Sequence, residues 1–432
     1  MRTIGQHGDA VRALVAPALP SAGASGSGDP VPVDDLQAQR VDDLAADTGA
    51  GHGYRVLGRA VRSPIPLPPF DNSQMDGFAV RAADAGATLR VVAPIPAGAV
   101  PSDLQPGTAA PIMTGARIPV GADAVFPVEA TAPGAFPAAL SLPTVTVPDD
   151  LTAGTFVRTT GSDLAADAVV VPAGALLTPA VLGALAAAGV RQVDLVRRPR
   201  VLVVSTGSEL DGVDGEAAGV AVAGAASGGA GINDANGVAL RAALAEVGAE
   251  SRTVRVPDDE ARFTAALEHA VGDWADLVLT TGGISAGAYE VVRQALEPRG
   301  LVVTPVAMQP GGPQALGTVP FDGRPVPVVA FPGNPVSALV SFEVFLRPVL
   351  ARAAGMAESR PVQVLPAADA AESPVGKHQV RRGRVVDGRV HFVGGPSSHL
   401  LAHYADATHL VHVPVGTAAV APGDPLTVWS LR

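Results

Sequence analysis

The stretch RVLVVSTGSEL, residues 200–210, runs apolar from Val201 to Val204 and then turns to Ser205, Thr206 and Gly207. An apolar run without alternation reads as a strand covered on both faces, the situation of a central strand in a parallel sheet. The downstream segments repeat the theme. Beyond an Ala/Gly-rich insert over 216–231, which reads as disordered, NDANGVALRAALAEVG places Leu240, Leu244 and Val247 on one helical face and stops at Gly248. SRTVRVPDD predicts a strand, and ARFTAALEHAVGDW a helix with Phe263, Leu267, Ala270 and Trp274 on one side. ADLVLTTGGISAG, LVVTPVAM and VPVVAFPGNP predict further strands, VVRQAL a short helix, and VSALVSFEVFLRPVLARAAG a long closing helix. Alternating strands and helices over 198–356 imply an α/β domain with a doubly wound parallel sheet, whose ligand cleft lies beyond the carboxyl ends of the strands.

Those ends carry the polar residues. The first strand ends in Thr206, Gly207, Ser208 and Glu209, the third in Gly282, Gly283, Ile284 and Ser285, and the last in Pro332, Gly333, Asn334 and Pro335. Asn334 reads as an N-cap with Pro335 at the first helical position, so the N–H groups around Val336 and Ser337 predict an anion seat. The Gly282-Gly283 pair lets backbone amides approach a phosphate closely. A glycine pair after a strand is ordinarily structural. Three polar turns on one sheet edge, with carboxylates at Glu209 and Glu290, favour a site that holds an anion and a cation together.

Composition bounds the rest. With 432 residues, 47% of them hydrophobic, the chain can bury several cores. The net charge of −11, spread along the chain, argues against nucleic acid or an anionic membrane as the main partner. The sequence has no cysteine, which removes disulfides, thiolate metal sites and thiol nucleophiles. There is no Walker-type Gly-Lys-Ser/Thr, and Lys377 is the single lysine. No apolar run is long enough to span a membrane and the start lacks a signal-peptide pattern, so a cytoplasmic location is expected.

Upstream, residues 1–32 end in small polar text and read as a flexible arm after one weak helical stretch near DAVRALV. Residues 33–69 and 161–197 read as a helical and linker domain around an insertion, 70–160, of short β-like runs such as LRVVAPI and PTVTVP. Residues 357–432 predict a C-terminal β domain. It contains six of the nine histidines, with His399 and His403 at i, i+4 spacing, but no H-E-x-x-H, so a transition-metal site is the weaker reading.

Six motifs in order, PPFDNSQMDGFAV, PIMTGARIPVGADAV, VVSTGSEL, GINDANGVAL, LTTGGISAGAYE and FPGNPVSALVSF, make residues 33–432 resemble the molybdopterin molybdenumtransferase family, the MoeA and gephyrin E-domain type. The resemblance implies an elongated, dimerising protomer of four domains, with a β-rich lobe inserted ahead of a molybdopterin-binding-like α/β domain and a β-barrel-like C-terminal domain. It implies Mg²⁺-dependent conversion of adenylylated molybdopterin and molybdate into molybdenum cofactor with release of AMP. A docking molybdopterin adenylyltransferase and a preference for tungstate stay open. By this likeness Asp76, Thr114, Asp163, Glu209, Asp258 and Glu290 are the catalytic candidates, with Glu209 and Glu290 as Mg²⁺ ligands and Asp71 holding a turn. Asp76 and Thr114 would meet the α/β cleft from a dimer partner. Thr206, Gly207, Gly282, Gly283, Ser285, Pro332, Gly333, Asn334, Pro335, Ser337 and Arg382 are the substrate-binding candidates.

The physical chemistry agrees with that set. Mg²⁺ takes oxygen ligands and keeps several waters, so a few carboxylates suffice beside a pyrophosphate. Phosphoanhydride cleavage is positioning plus charge neutralisation, and the cofactor's dithiolene sulfurs make a protein nucleophile unnecessary. Molybdate suits hydroxyls and helix-start amides such as those of Ser337 and Ser285. The chain departs from the family at Ala288, Ser162 and Ser208, and in the QPGGP loop, where Gln309 and Gly312 stand in place of two frequent lysines. These losses keep a second reading open, a molybdopterin carrier or scaffold without efficient insertion. Adenylyl transfer on the same α/β fold is a third.

Overall fold

The computed structural model describes residues 1–20, 31–46, 56–207, 232–256, 259–284 and 290–431. The chain divides into two compact units, the larger taking in Met1–Gln37 and Leu195–Arg432 and the smaller Arg59–Asp194.

The N-terminal residues are a correction. Helix α1, Ile4–Val15, opens with a capping box in which the Thr3 hydroxyl accepts from the Gln6 N–H and the Gln6 side chain accepts from the Thr3 N–H. His7, Val11 and Val15, spaced four apart on one face, are fully buried in the core of the larger unit. Residues 1–20 are therefore packed structure, and the arm expected there is not one; 21–30 lie outside the described residues.

The smaller unit carries the region read as β-rich. Strands β1 (Gly77–Val80), β2 (Thr88–Val91), β3 (Thr108–Ile112), β4 (Ala124–Pro127) and β5 (Thr144–Thr146) form a sheet in the order β4-β1-β3-β2-β5. Its core stacks Phe78 on Phe126 with ring centroids 5.4 Å apart. Helix Pro179–Ala187, capped by the Thr178 side chain, lies where the sequence predicts one.

In the larger unit, β6 (Arg200–Thr206), α2 (Ala235–Glu246), β7 (Glu250–Val256), α3 (Glu260–Val271), β8 (Leu277–Thr281) and α4 (Val291–Leu296) follow the expected alternation. Then come β9 (Val302–Pro305), β10 (Met308–Gln309), β11 (Pro313–Phe321) and β12 (Arg324–Phe331). The sheet order is β7-β6-β8-β12-β11-β9. The four strands from β7 to β12 pair in parallel and β11 and β9 run antiparallel, so the sheet is mixed where the sequence reading had it parallel throughout. The reason is local: β11 and β12 form a hairpin around Asp322-Gly323, both at positive φ, as a two-residue turn requires. Helix α2 buries Leu240 and Leu244 against one face of the sheet, while Phe263 and Leu267 of α3 pack on the other. Helix α5 (Pro335–Ser341) continues through a π-helical turn, Phe342–Leu346, into α6 (Arg347–Ala353).

The C-terminal strands β13 (Val362–Pro366), β14 (His378–Val386), β15 (Arg389–Phe392), β16 (His409–Val413) and β17 (Pro425–Ser430) complete a second sheet, in the order β10-β14-β16-β17-β13, with β15 paired to β14. Because β10 pairs in parallel with β14, the loop after it is fixed by the C-terminal sheet. Among the described residues no helix is long and apolar enough to cross a membrane.

Candidate functional site

The parallel part of the sheet has the order β7-β6-β8-β12, so chain connections leave in opposite directions from β6 and β8. Ligands of open α/β sheets bind at such a switch point, beyond the carboxyl ends of the strands. A cleft of about 450 Å³ lies there. Its walls include Thr206 and Gly207 after β6, Gly282 and Gly283 after β8, and Pro332, Gly333, Asn334 and Pro335 after β12. Glu290 also lines it.

Backbone packing shapes this cleft. Gly282, at φ +86°, would bring a Cβ to 2.9 Å from the Thr206 hydroxyl, and a Cβ on Gly333 would sit 3.2 Å from the Gly282 Cα. The two loops touch main chain to main chain, and any side chain at these positions would push them apart. Hydrogen bonds fix them. The Gly282 N–H donates to the Phe331 carbonyl at 3.1 Å, and the Asn236 amide donates to the Gly333 carbonyl at 2.7 Å.

Asp234, 6% exposed, is a buried carboxylate in the cleft wall. One oxygen accepts from the Ser205 hydroxyl (3.1 Å) and the Gly237 N–H (2.8 Å), the other from Arg255 (3.2 Å). It caps α2 and holds the end of β6. Asn233, Asp234 and Asn236 line the cleft without having been singled out from the sequence, although GINDANGVAL contains them. Their signal was the N-cap pattern after an insert, Asp followed by Gly three residues on.

A second cavity, of about 390 Å³, shares Pro332, Gly333 and Asn334 with the first. Its other walls are the QPGGP loop after β10, Ser337 of α5, Lys377 ahead of β14, and Ser397 and Ser398. Ser337 is 3% exposed. Lys377 brings a cation to the QPGGP loop, which has Gln309 and Gly312 and no lysine of its own. Gln309 accepts from the Gln379 amide at 2.6 Å, and buried Gln314 donates to the Gly311 carbonyl and the Ser341 hydroxyl at 2.8 and 2.7 Å.

Two expectations change here. The Asn334 side chain makes no capping bond, and the Val336 N–H donates to the Ser398 carbonyl at 3.2 Å, so that amide is not left for an anion. Arg382 does not line either cavity. It is 2% exposed, and its guanidinium donates to the carbonyls of Val393, Gly395 and Ser397, one from each nitrogen. Burial, then the neighbouring Arg381, lowers its pKa from the ordinary arginine value.

In the smaller unit, one Asp76 oxygen accepts from both the N–H and the hydroxyl of Thr114, at 2.7 and 2.8 Å. Asp71 does the same for Thr160, at 2.7 Å each. The Thr160 N–H, then its hydroxyl, hold the Asp71 carboxyl below the usual range. The segment FDNSQMDG thus pins two Thr-Gly turns, and both aspartates keep their second oxygen outside these bonds. Asp163 is exposed on the same unit, its N–H bonded to the Leu67 carbonyl at 2.9 Å. Glu209, Asp258 and Ser285 lie outside the described residues. Among the described residues no cluster of three or more His, Asp or Glu side chains is placed to hold a metal, and the C-terminal histidines form none.

Comparisons with known proteins fit this geometry. Residues 34–189 match the MoeA N-terminal region (domain I and II), and 202–352 match the probable molybdopterin binding domain. The chain is 43% identical to molybdopterin molybdenumtransferase 2 of Mycobacterium tuberculosis over 396 residues, covering 87% of this chain and 92% of that one. It is 33% identical to the molybdopterin molybdenumtransferase of Synechococcus elongatus, covering 88% and 92%. The crystal structure of a molybdopterin biosynthesis MoeA protein from Pyrococcus horikosii superposes with a TM-score of 0.74 at 26% identity, covering 100% of this chain and 99% of that one. With the two-part cleft, the six ordered motifs and this full-length likeness in hand, the chain belongs to the MoeA family of molybdopterin molybdenumtransferases.

Proposed function

We propose that this protein is a transferase of molybdenum cofactor biosynthesis that inserts molybdenum from molybdate into adenylylated molybdopterin, releasing AMP. The observation that carries the reading is the wall Pro332–Asn334, which two adjacent cavities share. The first cavity, floored by the Gly207 and Gly282-Gly283 turns, suits a pyrophosphate approached by main-chain amides. The second, with Lys377 and the hydroxyls of Ser337, Ser397 and Ser398, suits a small tetrahedral dianion. One thin wall between them sets the oxyanion beside the pterin it is to enter.

Mg²⁺ fits as a guest of the substrate phosphates. Glu290 lines the first cavity and would contribute a ligand, since Mg²⁺ characteristically binds through one or two carboxylates plus phosphate oxygens and water. The ion would neutralise charge on the leaving AMP. The chain's own residues position the phosphates, exclude side chains from the turn and hold the oxyanion. Asp76 and Thr114 belong to the mechanism as a carboxylate–hydroxyl pair supplied by a second copy of the chain.

The test is AMP release and activation of a molybdenum-cofactor apoenzyme by purified protein with adenylylated molybdopterin, Mg²⁺ and molybdate. Lys377→Ala is expected to raise the half-saturating molybdate concentration about tenfold or more, the order of one charge-assisted contact, without weakening pterin binding. Tight pterin binding with no AMP release at any molybdate or tungstate concentration would sink the transferase reading and leave a carrier.

A further inference from the structure

The walls of the first cavity are short of positive charge. Its described lining residues include two carboxylates, Asp234 and Glu290, and no lysine, arginine or histidine. A pyrophosphate that approaches those carboxylates meets a repulsion that main-chain amides offset only in part, so the cavity needs a cation close behind its surface. Arg255 stands there.

The sheet puts it in position. Side chains alternate between faces along β7, and Val254 and Val256 pack with Phe263 and Leu267 of α3. Arg255, between them, falls on the opposite face, the side of α2, in register with Ser205 of β6. Helix α2 begins with Asp234 as its N-cap. Arg255 Nε reaches Asp234 at 3.2 Å, and of the two side chains the arginine is 38% exposed and the carboxylate 2%. The two carboxylate oxygens serve different partners. Oδ1 accepts from the Ser205 hydroxyl and the Gly237 N–H, which hold the end of β6 to the start of α2, and Oδ2 accepts from Arg255. We infer that Arg255 is a positioning residue of the phosphate cavity, acting through Asp234: it offsets the charge of that carboxylate, so that Asp234 shapes the loop without repelling the pyrophosphate of the substrate. This rests on the first cavity being the pyrophosphate site.

Asp234→Asn keeps an Oδ1 for Ser205 and Gly237 and removes the charge that Arg255 meets. The experiment measures binding of inorganic pyrophosphate and of adenylylated molybdopterin, each with a chelator present so that no Mg²⁺ contributes, to the full chain, Arg255→Met, Asp234→Asn and the double variant. In Arg255→Met the Kd of both ligands is expected to rise about tenfold or more, and added salt narrows the difference. In the double variant it returns to within about threefold of wild type, and Asp234→Asn alone binds pyrophosphate more tightly than wild type. An ion pair that served the fold alone would leave affinity unchanged in a folded Arg255→Met protein, or would lose it again in the double variant, and either result overturns the inference. Weaker pyrophosphate binding by Asp234→Asn overturns it as well, and that measurement does not depend on an arginine variant folding. If the wild-type chain binds neither ligand, the cavity reading itself falls and takes this inference with it. Binding of both by the wild type, with affinities in the variants contrary to those expected, removes this inference and leaves the cavity reading standing.

Discussion

Gly282 shows how one residue sets the site. Its φ of +86° and the 2.9 Å approach of a would-be Cβ to the Thr206 hydroxyl make alanine both strained and crowded. Gly282→Ala is expected to destabilise the chain by about 1–3 kcal/mol and to weaken pterin binding, measured by chemical denaturation and by titration. Its neighbour in the cleft, Asp234, engages both oxygens with a serine, an amide and an arginine of its own fold. Asp76 differs in leaving an oxygen outside the Thr114 bonds. The motif residues were legible one by one; the uses of Arg382, Asp234 and the Val336 amide were not, because a hydrogen bond to a distant carbonyl leaves no mark on the local sequence.

Helix α1 and the turn Phe342–Leu346 meet through His7 and Phe345, ring centroids 4.7 Å apart. His7 is fully buried with neither ring nitrogen bonded, and burial, with Arg2 adding to it, lowers its pKa from 6.5 to about 4. The folded state thus prefers neutral His7. The unfolded chain takes up a proton below its ordinary pKa, so stability is full above pH 6.5 and declines as the pH falls towards 4, by about 3 kcal/mol from this group. His7→Leu is expected to flatten the pH dependence of the melting temperature in that window. It will not abolish it, because His412, lowered to about 3 by burial and then by His378, continues the slope. A second junction joins α6 to the C-terminal strands. Arg360 donates to Glu343 at 2.9 and 2.8 Å and to Glu246 at 3.1 Å, with Glu343 itself buried. Arg360→Ala would strip Glu343 of its closest partner and is expected to cost roughly 2–4 kcal/mol in urea denaturation.

At the scale of the whole molecule, two units with their own cores imply two unfolding transitions in calorimetry. If molybdate binds in the second cavity of the larger unit, as proposed, it is expected to raise only one of them, and equal shifts of both would show that the units unfold together. The order of elements, the β-rich stretch and the turns of the first cleft could be read from the sequence. They depend on local periodicity, on glycine and proline, and on short motifs. The β11–β12 hairpin was missed despite its Asp-Gly turn, because Pro313, Pro320, Pro325 and Pro327 speak against strands in isolation. The packing of α1 was missed because His7 in its buried stripe reads as polar.

The sequence by itself determined that the chain is an α/β protein with a phosphate-friendly sheet edge, since burial on both faces and backbone freedom are written residue by residue. Only the tertiary structure decided that Lys377, Ser337, Ser398 and the QPGGP loop bound one cavity beside that edge. Those four pieces come from segments far apart in the chain, and it is the parallel pairing of Met308 and Gln309 with His378 and Gln379 that brings their ends together.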